Sequence, residues 1–489
     1  MIFLSFSALA LLFQAADVPV RHADPAEFHA VSPRRAAAAE DLVMTGPRLP
    51  EGARHVLPPL APEERVGLPS DESVSRPKKG RARVGVSRSL YGDVGFDGVS
   101  TDLRRREAGL AVGGLLERRD DGRLVWTASF ASEGAEALRL HIRSARLPAG
   151  SRVYVYSTAG DVRGPYDFDA ATHPEGFWTN AIYAPEIFLE VQLGDAAGEE
   201  ISPPRLLVDA VGHLEYSVRP KSQTCFIDVS CVMPSEFPNV NNASKAVGQL
   251  TFEDGGSFFV CTGGLLNSNP ATGVPYLLTA NHCFSTQASA TSLEVVWNFR
   301  TSTCGGPAPN PNTLPSSLGS TLLATGMTSD FTLVRLTEDP PDGAFFLGWT
   351  SLTPVAGTTL YRVSNSGGGA QIYTREQISA QPDPVACSDA PQGDFIYEKD
   401  RAGGTGGGSS GSPAYTGDLT VVGQELGGCG TNVDDDCDVV ANSTLDGAFS
   451  VSFPALQQFL SPGQGNDRTV VLTPTRSAPR ETHTLPARP

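Results

Sequence analysis

No cysteine precedes Cys225 in this 489-residue chain, and all eight lie from there on. None forms a CxxC pair, and no His/Cys group has the spacing of a zinc site, so the sequence offers no structural metal. An even count without metal spacing points to disulfides and an oxidising compartment. Basic residues are scarce. Lys and Arg total 37 against 54 Asp and Glu, for a net charge of -17 and a pI near 4.9. That balance excludes nucleic acid as a partner, because phosphate binding needs a basic face, and it reads as a device for solubility. Long apolar runs are also missing. The one uncharged stretch, Met1 to Ala16, is too short to span a bilayer and reads as a signal peptide cleaved near Gln14-Ala15-Ala16, although it has no basic n-region. The expectation is a secreted or periplasmic protein with no membrane contact once the leader is gone. Sustained helical periodicity is absent too, which disfavours helical bundles and coiled coils.

Glycine (51) and proline (38) are abundant, and with the alternating segments they indicate an all-β fold joined by many turns. The length implies two or three domains. Residues 17–79 mix Pro, Ala, Arg and Glu without period and read as disordered. From 80 to 218 the texture changes. Leu138, Leu140 and Ile142 alternate with polar residues, as do Ile187, Leu189, Val191 and Leu193. Val153–Tyr156 and Leu124–Trp126 are further strand signals, separated by turns such as Pro148-Ala149-Gly150. This is the pattern of a small β-sandwich or jelly roll, a pro- or accessory domain with no grouping that reads as a site. Arg219-Pro220-Lys221 reads as a basic linker open to processing. A second strand-rich domain follows over 222–462, with strands expected at Leu293–Phe299, Phe331–Leu336 and Leu419–Leu426, and then a flexible tail over 463–489.

Three stretches of the second domain carry chemistry. An apolar run, Tyr276-Leu277-Leu278-Thr279-Ala280, leads into Asn281-His282-Cys283. Ser329-Asp330 opens the alternating strand Phe331–Leu336. Gly406-Gly407-Gly408-Ser409-Ser410-Gly411-Ser412-Pro413 is a Gly/Ser loop before another strand. A serine hydroxyl needs a base within hydrogen-bond reach, and histidine is the base suited to neutral pH. The histidine in turn needs a carboxylate on its other nitrogen to hold one tautomer. A tetrahedral oxyanion needs two aimed N–H donors, for which flanking glycines give the backbone freedom; Gly408 and Ser410 are the natural pair. Taken alone, the glycine loop could be a linker and the Asp a turn residue. However, His282 is the only histidine between Ser222 and Pro462.

Thr279-Ala280-Asn281-His282-Cys283 resembles the T-A-x-H-C box of trypsin-like serine proteases, Ser329-Asp330-Phe331-Thr332-Leu333 their Asp box, and Gly408-Ser409-Ser410-Gly411-Ser412-Pro413 their G-x-S-G-[GS]-P box. The order His, Asp, Ser is theirs as well. The resemblance is closest to bacterial lysyl endopeptidases and extends over roughly Cys225 to Phe449. It includes Cys225–Cys231, Cys261–Asn267, Val296–Phe299 and Val422-Gly423-Gln424. It implies a chymotrypsin-like double β-barrel with the site in the cleft, catalytic His282, Asp330 and Ser410, no cofactor and no metal. It also implies the pairs Cys261–Cys283 and Cys231–Cys304 and a bond from Cys225 to Cys429 or Cys437, with Cys387 taking the remaining partner.

The chain departs from that pattern in places. Ser409 stands where trypsin has an Asp. Thr444 stands near the position of the lysine-binding Asp of lysyl endopeptidases, and Leu426 and Glu425 fall where related enzymes carry a His. Thr405, Glu425, Leu426, Gly427 and Thr444 are therefore only candidate pocket residues. Glu425, or the acidic run Asp434–Asp436 with Asp438, favours a basic P1 residue, with a neutral or apolar P1 as the other reading. The function expected is a secreted endopeptidase acting on protein or peptide substrates, made as a precursor whose N-terminal domain is a candidate inhibitor. The competing function is an inactive, protease-like binding or adhesion protein. Its usual sign, loss of a triad residue, is absent here.

Overall fold

A computed structural model describes residues 49–68, 80–97, 108–111, 113–120, 122–166, 176–194, 204–215, 225–380, 383–385, 387–433 and 435–462. The leader, the basic linker at 219–221 and the tail expected from the sequence lie outside the described residues.

The architecture is all-β: a β-sandwich followed by a chymotrypsin-like double barrel. Alternation sets the sandwich. Leu138, Leu140 and Ile142 lie on the strand Ala137–Arg146, and Ile187, Leu189 and Val191 on Glu186–Leu193. One sheet runs in the order Ala108–Ala111, Gly114–Arg118, Leu124–Ser132, Glu186–Leu193, Arg152–Tyr156, Val162–Arg163. The facing strands are Ala82–Asp97, Arg205–Leu214, Ala137–Arg146 and Phe177–Trp178. Trp126, Phe130, Leu140, Val155, Leu189 and Val208 fill the space between. Removing such side chains from water is the main drive for the assembly.

Part of the stretch expected to be disordered is folded. Arg54–Leu57 pairs in parallel with Leu124–Ser132, and Leu49 and Ala53 pack on Tyr156 and Phe188. The physical reason is on the other side of the sheet. Phe188 and Tyr156 point away from the sandwich core and need an apolar cover of their own, which this segment provides.

In the first barrel the strands run Glu294–Trp297, Val247–Asp254, Ser257–Leu266, Tyr276–Ala280, Phe331–Leu336, Ser320–Gly326. Its core is Leu250, Phe252, Leu277, Val295, Trp297 and Val334. In the second, Ile372–Ile378, Thr359–Ser364, Pro413–Tyr415, Thr420–Gly430, Asn442–Ala448 and Phe395–Ala402 close on themselves, the last pairing back to the first. The helix Phe449–Leu460 seals one side through Trp349, Phe449 and Phe453. The cysteines pair as Cys225–Cys437, Cys231–Cys304, Cys261–Cys283 and Cys387–Cys429. Among the described residues no helix is long and apolar enough to cross a membrane.

The sequence suggested two regions joined by a linker. In the structure the sandwich and first barrel share a sheet. The 16-residue strand Ala82–Asp97 pairs with Arg205–Leu214 on one side and, through its first residues, with Ser257–Val260 on the other. Val84, Ala137, Trp178, Leu214, Phe258 and Val260 form a shared apolar cluster.

Candidate active site

His282 follows the strand Tyr276–Ala280, and Asp330 precedes Phe331–Leu336. These two strands pair antiparallel, with Ala280 opposite Phe331, which brings the His turn and the Asp to the same end of the sheet. Asp330 takes a left-handed conformation (φ 49°), which an Asp tolerates better than most residues. Its carboxylate accepts from the His282 backbone N–H at 2.8 Å and from Nδ1 at 2.6 Å. With Nδ1 donating, Nε2 is left as the acceptor. Asp330 is itself buried, and Gln424 of the second barrel donates to the carbonyls of Ser329 and Asp330 at 2.6 and 3.2 Å. Asp330 is thus held by its carboxylate in the first barrel and by its backbone from the second.

Ser410 arrives from the second barrel. The Ser410 carbonyl accepts from Thr262 N–H at 2.9 Å, and the Thr262 hydroxyl donates to the Gly408 carbonyl at 2.9 Å. The first barrel's strand therefore grips the loop on either side of Ser409. Gly411 (φ 80°) has no room for a side chain: a Cβ would stand 2.1 Å from Thr279 Oγ1 and 2.6 Å from the Thr262 carbonyl. Ser409, where an Asp was noted as missing, bonds to the Ser364 hydroxyl at 3.0 Å inside the barrel. Ser410 Oγ and His282 Nε2 are both shut off from solvent, and neither has a hydrogen-bond partner.

Below this loop lies a buried ion cluster. Arg362 reaches Asp446 at 2.7 Å, Glu376 at 3.0 Å, Glu398 at 3.6 Å and Glu425 at 3.8 Å, and donates to the Ser412 carbonyl at 2.7 Å. Burial alone would lower the Arg362 pKa, but Asp446, Glu376, Glu425 and Glu398 outweigh it and raise it well above the usual value. Three of the carboxylates, Asp446, Glu425 and Glu398, are raised as well. Burial pushes Glu425 up to about 7, and burial, with Asp446 and Glu376 beside it, drives Glu398 well above the carboxylate range.

These contacts revise the pocket expected from the sequence. Glu425 cannot face a P1 side chain, because it is 2% exposed and turned onto Arg362 and the Ser412 hydroxyl. Leu426 packs with Ala390, Phe395 and Tyr397, and Gly427 lies in the sheet opposite Leu445. Thr405 and Thr444 do line a concavity, together with Asp400, Asp436, Asp438 and Ser443. Asp400 was not foreseen, being one of four consecutive charged residues, Glu398 to Arg401, in the strand Phe395–Ala402. It accepts from Thr444 Oγ1 at 2.9 Å, and burial, then Glu376, pushes its pKa up to about 7. Asp436 reaches the Ser410 loop, its Oδ2 3.1 Å from where a Cβ on Gly406 would stand. Asp438 is tied to its own loop by the Ala441 N–H and Asn432, which hold its pKa below the usual value. Of two groupings with metal-ligand proximity among the described residues, Cys261–His282–Cys283 has its sulfurs in a disulfide, and Glu376–Glu398–Asp446 surrounds Arg362.

Fold and boxes together place the chain in the class of chymotrypsin-like serine-protease folds. Within that class it resembles lysyl endopeptidases, and residues 220–440 match the family described as "Lysyl endopeptidase, C-terminal domain". A lysyl endopeptidase of Pseudomonas aeruginosa is 28% identical over 286 residues, covering 54% of this chain and 59% of that protein. The secreted RxLR effector protein 73 of Plasmopara viticola is 27% identical over 220 residues, 43% of this chain and 52% of its own. The chain thus spans little more than half the length of these curated relatives. Among solved structures, an HtrA-type protease with a tripeptide shares 18% identity, with 46% of this chain and 63% of that one covered at a TM-score of 0.31. The serine endoprotease from Yersinia pestis shares 14%, with 46% and 66% covered at a TM-score of 0.31.

Proposed function

We propose that the protein is a secreted serine endopeptidase that forms an acyl-enzyme on Ser410. The observation that carries the reading is the Asp330 carboxylate holding both the backbone and Nδ1 of His282, at 2.8 and 2.6 Å, with the next residue, Cys283, placing its Sγ 3.7 Å from the carbonyl of the buried Ser410. Nε2 takes the proton of Ser410 Oγ as it attacks the scissile carbonyl, and returns it to the leaving amine. Asp330 stabilises the imidazolium. The N–H groups of Gly408 and Ser410 receive the oxyanion. Water then hydrolyses the ester by the same route in reverse. The Ser410–His282 hydrogen bond, unmade here, forms when substrate enters.

The four disulfides support a secreted destination, and the sandwich, with the linker at 219–221, supports a precursor whose segment 17–221 is removed around a protease domain of 222–462. Asp400 and Asp436 support a basic P1 residue, since a cation in that concavity meets two carboxylates, of which Asp400 is buried. A panel of peptides differing only at P1 tests this. Cleavage after Lys or Arg should exceed cleavage after Phe, Leu or Glu by ~100-fold, the weight of one partly buried ion pair. Cleavage only after Phe or Leu would reject the basic pocket and leave the serine chemistry untouched.

A further inference from the structure

The carbonyl of Gly80 accepts a hydrogen bond from the N–H of Gly408 at 3.1 Å. That N–H is one of the two donors assigned above to the oxyanion. From Gly80 the chain continues as an added antiparallel strand along the first barrel, with Ala82 opposite Val260 and Arg83 opposite Phe259. The next residue, Cys261, is bonded to Cys283, the neighbour of His282. Between these two anchor points lies Arg81. Its guanidinium donates to Asp254 Oδ2 at 2.6 Å and to the Cys283 carbonyl at 2.9 Å, and stands 3.9 Å over the Phe259 ring. A charged partner, a carbonyl and an aromatic face on one guanidinium constitute a recognition site rather than a chance surface contact.

We propose that Asp254, Phe259 and the Cys283 carbonyl form a guanidinium subsite on the leaving-group side of the scissile bond, and that in the full chain it is filled by Arg81 so that the segment 80–83 blocks the cleft as a substrate does. This rests on the peptidase reading above. The direction is that of a bound peptide: a carbonyl on the oxyanion donor, and the following residues paired as a strand on the leaving side. Gly80 makes the segment a poor substrate. It offers no side chain to the P1 concavity, and its φ of 108° is not that of an extended residue. The sandwich holds the strand in place. Trp178 packs edge-on to Phe258 at 4.9 Å, Arg139 donates to the Ser292 carbonyl at 2.9 Å, and Glu294 accepts from Asn180 and the Ala181 N–H, each at 2.9 Å. Once the strand leaves, the subsite takes an extended peptide with arginine as the first residue after the bond cut.

The test is labelling of Ser410 by a fluorophosphonate, followed separately on the intact chain and on the forms shortened from the N-terminus by limited proteolysis. Intact wild-type chain should label slowly and shortened forms fast. R81S should speed labelling of the intact chain by about tenfold and R81K by no more than about twofold, because the lost contact is a charge pair plus a cation–π contact. D254N attacks the same contact from the barrel side and should also speed it, which covers the case in which R81S does not fold. Equal labelling of intact and shortened wild-type chains, or no response to R81S and D254N, would overturn the proposal while leaving the peptidase reading intact. Absence of labelling in every form would overturn both.

Discussion

Gly411 shows how narrowly the Ser410 loop is specified. Its φ of 80° and the Thr279 hydroxyl 2.1 Å from a hypothetical Cβ leave space for hydrogen only. Gly411→Ala must displace the loop from Thr262 or push Thr279 off the first barrel. The expected result is a fall in kcat/KM of at least ~100-fold, as for loss of an oxyanion donor, with a stability loss of ~1–3 kcal/mol in a thermal melt. Unchanged kinetics would show that the loop geometry is not what aims Ser410. At this scale the sequence was informative where residues carry a motif. His282, Asp330 and Ser410 fall in three recognisable boxes, and the structure sets the first two in contact. It was uninformative where the role depends on a distant partner. Glu425 sits in the sequence beside candidate pocket residues, yet its side chain answers to Arg362, 63 positions away in the chain and adjacent only across the sheet.

Five strands of the second barrel each send one charged residue inward, where a barrel of this kind ordinarily holds apolar side chains. Arg362, Glu376, Glu398, Glu425 and Asp446 come from five different strands, so nothing in the sequence groups them. Only strand pairing assembles them, and Arg362 then passes the support on to the Ser412 carbonyl. The cluster has a pH signature. Glu425 and Asp400 are raised by burial from 4.5 and 3.8 to about 7 each. The folded protein therefore keeps protons that the unfolded chain gives up near pH 4. Stability from these groups is complete below their unfolded values and is lost as pH rises through about 7. The melting temperature should fall between pH 5 and pH 8, and Glu425→Gln should flatten that slope. A steeper slope in the variant would show that Glu425 is ionised in the fold. Strand periodicity was legible over Ala137–Arg146, Glu186–Leu193 and Phe331–Leu336. The folded segment 49–57 was not legible, because the role of Leu49 and Ala53 as an apolar cover is set by Phe188 and Tyr156 on a sheet face more than 90 residues later.

The whole molecule is less divisible than its sequence suggests. Composition separates a cysteine-free N-terminal part from a disulfide-linked C-terminal part, but the strand Ala82–Asp97 belongs to both. A long strand that serves two sheets leaves no mark in composition, since its register is decided by partners on either side. The same strand that completes the sandwich pairs with Ser257–Val260 of the first barrel and is preceded by Gly80, whose carbonyl accepts from the Gly408 N–H. The central claim is that Ser410 is a nucleophile driven by His282. Mass spectrometry of the chain after treatment with a fluorophosphonate tests it most directly. The account predicts a single phosphonyl adduct on the peptide containing Ser410, lost in Ser410→Ala together with all peptide hydrolysis, and slowed ~1,000-fold or more in His282→Ala. An adduct on another residue, or hydrolysis that persists in Ser410→Ala, would contradict it.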